Sequence, residues 1–356
     1  MDHGLRRQRL LERCSELDVD GFLVTRLANV RYLSGFTGSN GQLLLGREGA
    51  AFVTDGRYTE QSRREVPDLE RFTAQRLADP LLDWCRGAEI RRLAFEAEEV
   101  TVARHEDLVD KLPDVTLVAS RSVVEGLRWS KDADELVLLR AAQRVTDDAF
   151  DDVLDRLAVG LTERQVALDV EMALRRHGAD AQAFDPIVAF GEQAAEPHHS
   201  PGRRILEEGD LIKMDFGAVV DGYHADMTRT VAFGAPAPEL RKIHDVVRQA
   251  QEAGIDAVRA GVGGAEVDAV ARHVIADAGY GDRFTHGLGH GVGLEIHEGP
   301  GLGATTEDVL PVGAVVTVEP GVYVPGLGGV RIEDMVEVTA DGCEVLGTSN
   351  RELIEL

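Results

Sequence analysis

Four carboxylates stand at the ends of apolar runs in the second half of the chain: Asp215 in LIKMDFG, Asp226 in YHADMTRTVA, Glu319 in AVVTVE and Glu333 in VRIEDMVEV. Between the two pairs runs HGLGHGVGLEIHEGPG, with His286, His290 and His297 interleaved with glycines, which let a backbone approach closely and adopt positive φ. Carboxylates gathered on buried strands repel one another, and their ionised forms are costly to desolvate. Solvent, or the nearby Arg229 and Arg331, is enough to offset any one of them. Four together beside a histidine motif point instead to bound cations. Four carboxylates and one imidazole are more ligands than a single zinc usually takes. They suit two hard or borderline divalent ions, manganese first and cobalt, iron or zinc next. Two such ions bridged by carboxylates can hold a hydroxide, polarise a carbonyl and clamp a tetrahedral intermediate. Neutral histidines nearby can donate to the oxyanion or carry a proton to the leaving group. The implied reaction is metal-assisted hydrolysis of an amide.

Two other readings of the histidine run fail. A dinucleotide-binding glycine loop follows an apolar strand within a βαβ unit, and GLGHGVG does neither. A zincin needs HExxH, but the position four after His297 is Gly301. A further pair, His198 and His199, lies in the loop AAEPHHSPG before the first acidic strand.

The elements that must position these groups are legible around them. Leu211–Gly217 and Tyr223–Ala232 read as a hairpin turning near Val220–Asp221–Gly222. A turn centred between 220 and 221 puts Asp215 opposite Asp226, and a centre at 221/222 shifts the pairing by two. Either register keeps both acids on one face. Upstream, 131–157 carries apolar residues at helical spacing, and Thr162 with Gln165 opens a second helix as a capping box. Gly160, Val166, Leu174 and Gly178 recur as Gly261, Val267, Ile275 and Gly279 at an offset of 101. That periodicity predicts two related halves, each a helix pair followed by strands, with the site between them.

The 356 residues predict two domains, here 1–126 and 130–356. The net charge of −25 falls unevenly: residues 1–131 are nearly neutral at −2 and the remainder carries −23. So acidic a chain is a poor partner for nucleic acid, and no apolar run is long enough for a membrane span. Cys14, Cys85 and Cys343 are odd in number and scattered, and the charged N-terminus lacks a signal peptide's apolar stretch, so a reducing cytoplasm is expected. In the first domain, strands at 21–25, 42–46, 51–54, 92–95 and 115–120 alternate with helices at 5–17, 55–66 and 102–112, the pattern of a small α/β domain. The glycine-rich loop SGFTGSNG (34–41) is a tight connection or a ligand contact.

The ordered set MDFG…DMTRT, HGLGHGVGLEIHE, VEPGVY and GGVRIEDMVEVT resembles the pita-bread metallopeptidases, the group of methionine aminopeptidase, prolidase and aminopeptidase P. The resemblance spans 130–356. It implies an α/β (α+β) fold in which a small creatinase-like domain precedes a pseudo-twofold catalytic domain. It implies two metal ions per subunit held by Asp215, Asp226, His290, Glu319 and Glu333, with Asp226 and Glu333 bridging and Glu319 as general base. By the same resemblance His198 contacts substrate, while His286 and His297 steady the intermediate or relay protons. Arg331 matches a supporting arginine beside the metals and Tyr323 a pocket tyrosine, whereas His199 holds a position more often tyrosine or small. NVRYLSGFTGSNG and TDGRYTEQS resemble the creatinase-type domain of aminopeptidase P and prolidase. The implied activity is cleavage after the residue that precedes proline in small peptides, with an Xaa-Pro dipeptidase as the alternative, performed by a homodimer. A non-catalytic binding protein of this fold would have lost ligands that this chain retains. Salt adaptation would account for acidity but not for acids on strand ends, and four lysines against 34 arginines give it no support.

Overall fold

The helix expected after Thr162 runs Glu163–Arg176, and the Thr162 hydroxyl and Gln165 side chain close the capping box. Its counterpart in the second half runs Gly264–Asp277, the same 14 residues displaced by 101. Gly160, Gly178, Gly261 and Gly279 all have positive φ, between +82° and +105°. A Cβ at any of them would meet nothing within 4 Å. Backbone conformation, not space, is what those positions require of glycine. Each short helix packs beside a long one, Ala133–Leu154 or Pro238–Ala257. Separate apolar cores lie under the two pairs, one around Phe150, Val166, Phe190 and Phe216 and the other around Val247, Val267, Val316 and Val336.

The structure is a computed structural model describing residues 1–356, and the chain divides into two units, Met1–Arg128 and Trp129–Leu356. In the first, strands β1 (Gly21–Val24), β2 (Gly41–Gly46), β3 (Gly49–Thr54), β4 (Glu70–Thr73), β5 (Arg92–Glu96) and β6 (Thr116–Ser120) form one mixed sheet ordered β4-β3-β2-β1-β5-β6. Strand β4, the polar ERFT, sits mostly exposed on an edge and has no apolar alternation to announce it. Helices Leu27–Ser34 and Ala78–Gly87 are additional to the sequence reading. The 34–41 loop folds onto itself: a Cβ on Gly38 would lie 2.3 Å from the Phe36 ring.

In the second unit β7 (Ala181–Gln182), β8 (Ile187–Phe190), β9 (Leu211–Phe216), β10 (Ala218–Val220), β11 (Tyr223–His224) and β12 (Met227–Ala232) belong to the first half. β9 lies between β8 and β12, while β10 pairs with β7 and β11. The second half supplies β13 (Gly289–Gly291), β14 (Glu298–Leu302), β15 (Val315–Val318), β16 (Gly321–Val324), β17 (Gly328–Arg331), β18 (Asp334–Val338) and β19 (Cys343–Val345). Five of these form a sheet ordered β14-β13-β15-β18-β19, and β16 and β17 form a hairpin. No helix is long and apolar enough to cross a membrane.

The acidic hairpin adopts the 221/222 register: Val220 faces Tyr223 and Asp215 faces Thr228. Asp226 is therefore diagonal to Asp215, two residues before Thr228 and on the same face. Ile212, Met214 and Phe216 fill the first core, so strand alternation turns Lys213 and Asp215 to the other side.

Candidate metal centre

Asp215, Asp226, His290, Glu319 and Glu333 all line one cavity of about 390 Å³. Ligand atoms of Asp226, His290 and Glu333 lie within 4.8 Å of one another, and His290 Nε2 is 3.4 Å from Glu319 Oε1. Asp215 shares the cavity, but one of its oxygens is held by Arg331 and its Oδ1 is buried without a hydrogen-bond partner. The first half contributes two of the acids. The second half contributes two more and the imidazole.

Elementary electrostatics makes such a cluster unstable without a cation. Burial, then Glu333, Asp215 and Glu319, push the Asp226 carboxyl well above its usual range. Burial followed by Glu319 and Asp215 does the same to Glu333. Burial and Asp215 outweigh Arg331 and raise Glu319 to about 7. His290 Nδ1 lies 3.0 Å from the Gly291 carbonyl, and donation there leaves the Nε2 lone pair facing the acids, as a metal ligand requires. Thr228 Oγ1 donates to Glu333 at 2.7 Å and Thr317 Oγ1 to Glu319 at 3.1 Å, fixing both carboxylates. Four buried acids, an orphaned carboxylate oxygen and a lone imidazole nitrogen fit divalent cations bound through oxygen and nitrogen.

The raised acids predict a pH dependence for the metal-free protein. A carboxyl whose pKa is higher folded than unfolded gives stability that is complete below its ordinary value and lost as pH rises through the folded one. For Glu319 that window runs from 4.5 to about 7. Chelated protein should melt at a lower temperature at pH 8 than at pH 5, and Glu319→Gln should flatten the slope. A profile that rises over this range would contradict the burial of these acids.

Around the acids the remaining expected residues divide into two groups. His198, His286, His297 and Arg331 line the cavity. Burial and His290 lower His297, whose ring stands 4.4 Å from that of His290. Tyr323, expected as a pocket residue, is instead buried behind the wall and is not among the lining residues. Its hydroxyl accepts from Arg331 at 3.0 Å and lies 2.9 Å from His286 Nε2. His286 Nδ1 is 2.8 Å from the Gly287 carbonyl. With Nδ1 donating there, Tyr323 donates to Nε2, so Arg331 donates to Asp215 on one side and to Tyr323 on the other, and Tyr323 donates on to His286. Burial and Arg331 push His286 down to about 4, which keeps it a neutral acceptor. Arg331 also donates to Thr228 Oγ1 at 2.9 Å and to the Pro197 carbonyl at 3.2 Å.

His199 is turned away from the acids. Its ring nitrogens meet Glu196 and the fully buried Glu163 at 2.7 and 2.9 Å. Burial opposes charge there, but the two hydrogen bonds raise the imidazole above its usual value.

Residues absent from the sequence reading complete the cavity: Phe184, Ile187, Pro197 and Ile296 form apolar wall, and Asp185 lies at the exposed edge. Pro197 and Ile296 each directly precede a motif histidine, whereas Phe184, Asp185 and Ile187 come from a loop and a strand start outside every motif. Lys213 was also missed. It lies one pleat from Asp215, and a charge in the apolar run LIKMDF was the available signal. Burial and Arg331 push its amine down from the usual lysine range, while the three backbone carbonyls around Nζ hold it as the ammonium.

A creatinase-type α/β unit followed by two helix-pair halves clasping a histidine–carboxylate cluster defines a two-domain metallohydrolase of the pita-bread class. Residues 137–340 match Metallopeptidase family M24 and residues 6–129 match the Creatinase/Prolidase N-terminal domain. The chain belongs to metallopeptidase family M24. An uncharacterized peptidase of Bacillus subtilis is 40% identical over 353 residues, covering 99% of this chain and 100% of the relative. The solved Xaa-Pro dipeptidase from Bacillus anthracis superposes with a TM-score of 0.97 at 38% identity, each chain covered completely. An X-Pro aminopeptidase from Thermotoga maritima superposes at 0.91 with 36% identity, covering 98% of this chain and 99% of the other.

Proposed function

We propose that the protein is a metal-dependent exopeptidase that removes the residue preceding proline from peptides longer than two residues, an Xaa-Pro aminopeptidase. Asp215, Asp226, His290, Glu319 and Glu333 would hold two divalent ions, manganese first. Bound there, the ions supply Lewis acidity toward the scissile carbonyl and toward the attacking water. The chain's own residues do the rest. Glu319 holds the proton taken from that water on its carboxylate, as a general base does. His198 and His297 face the cavity and donate to the developing oxyanion. Arg331 keeps Asp215 oriented. Phe184, Ile187 and Ile296 offer an apolar wall to a pyrrolidine ring.

One observation supports an aminopeptidase over a dipeptidase. A dipeptide ends in a carboxylate next to the scissile bond, and a lysine or arginine is the donor that meets it with a full opposite charge. Arg331 is the one lysine or arginine lining the cavity, and four of its five N–H bonds are directed to Thr228, Pro197, Tyr323 and Asp215. The second reading, an Xaa-Pro dipeptidase, is favoured by the likeness to the Bacillus anthracis enzyme of that name. Hydrolysis of Ala-Pro and Ala-Pro-Ala after manganese loading separates them. We expect the tripeptide to be cleaved with a kcat/KM at least about 10-fold higher, the factor of a lost charge-assisted contact. Preference for the dipeptide would favour the second reading.

A further inference from the structure

Lys213 carries a charge into the interior of β9, where it is fully buried. Nothing in the metal chemistry calls for it. Its Nζ donates to the carbonyls of Ala194 at 3.2 Å, Glu196, and Pro197 at 3.3 Å. All three contacts are acceptors, matching the three N–H bonds of an ammonium. The three carbonyls belong to the segment that leads into His198. The Pro197 carbonyl, attached directly to His198, also accepts from Arg331 at 3.2 Å.

The cage ties two parts of the site together. Across the sheet Lys213 is level with Thr230 and Ala189, and Asp215 is level with Thr228 and Ile187. The Lys213 layer thus lies directly behind the layer that bears Asp215. One strand therefore holds a cavity acid and, a pleat away, the cation that gathers the loop of His198. Without the ammonium, the Ala194 and Glu196 carbonyls would lose their donor and the Pro197 carbonyl would keep only Arg331, and buried unpaired acceptors drive a backbone to rearrange.

We infer that Lys213 is a positioning residue that fixes the His198 loop against the metal centre, so that the His198 ring meets the scissile carbonyl in one geometry. The inference rests on the reading of His198 as an oxyanion donor. Lys213 touches no substrate and acts through the carbonyls it collects.

A double-mutant cycle on the manganese-loaded full chain, assayed with Ala-Pro-Ala, tests both layers. Lys213→Met should lower kcat/KM by about 10-fold, the low end of what loss of a supporting contact costs, with two manganese ions still bound. His198→Ala should cost as much or more. In the His198→Ala background, Lys213→Met should cost less than about 2-fold, because its route is already cut. Lys213→Arg, which keeps donors for the carbonyls, should recover part of the loss. Lys213→Gln carries the same cycle should the methionine variant not fold. Equal costs in both backgrounds, lost manganese, or unchanged kcat/KM in Lys213→Met would overturn the inference while leaving His198 its role. An unchanged kcat/KM in His198→Ala would overturn that role and, with it, the inference.

Discussion

Glu333→Gln should abolish hydrolysis while leaving the metal-free fold intact or more stable. Glu333 is 2% exposed, and its Oε2 accepts the Thr228 hydroxyl at 2.7 Å. Its ligand atom lies within 4.8 Å of those of Asp226 and His290. Glutamine preserves the shape but removes one negative charge and puts an N–H₂ group where a lone pair is needed. We expect kcat/KM to fall by at least about 10³-fold, since both metal binding and carbonyl polarisation depend on this cluster. Bound manganese, measured by elemental analysis, should fall below two ions per chain. The same substitution removes a repulsion that raises Asp226. Chelated Glu333→Gln should therefore melt at or above the temperature of chelated wild type at pH 8. Opposite signs in activity and stability are not what misfolding gives. Wild-type manganese content in this variant would remove Glu333 from the metal centre.

Arg331→Leu should have the largest effect on stability. Its guanidinium is buried and donates to Asp215 at 2.5 Å, to Thr228 Oγ1 and Tyr323 at 2.9 and 3.0 Å, and to the Pro197 carbonyl. Removing one partner of a buried ion pair leaves the other charge uncompensated, at about 3–5 kcal/mol. Here the abandoned group is Asp215, already sharing its cavity with Asp226, Glu319 and Glu333. Urea unfolding of chelated protein at pH 8 should show that loss. Arg331→Lys should give an intermediate value, because an ammonium restores charge but not the fork that reaches four partners. A leucine variant as stable as wild type would mean that Asp215 is neutralised in some other way.

Much of the scaffold was legible because its causes are local. Helix periodicity, the Thr162 capping box and the paired glycines at an offset of 101 are written along the chain, since each reflects a backbone conformation that neighbouring residues enforce. Strand alternation was enough to put Asp215 and Asp226 on one face under either turn centre. It could not choose the centre, because both registers bury the same apolar set. It also drew attention to the acids at strand ends rather than to Lys213, whose carbonyl partners lie 16 to 19 residues back, at the end of a short 3₁₀ helix and just beyond it.

From the sequence alone came the residue types of the centre, their order and the two-halved architecture around them. Tertiary structure alone decided that Arg331 would grip Asp215 across 116 residues and that Tyr323 would stand behind the wall. It also decided that Phe184 and Ile187, which belong to no motif, would line the cavity. Contacts at such separations depend on how the two halves pack, and no local periodicity encodes a distance between side chains brought together only by that packing.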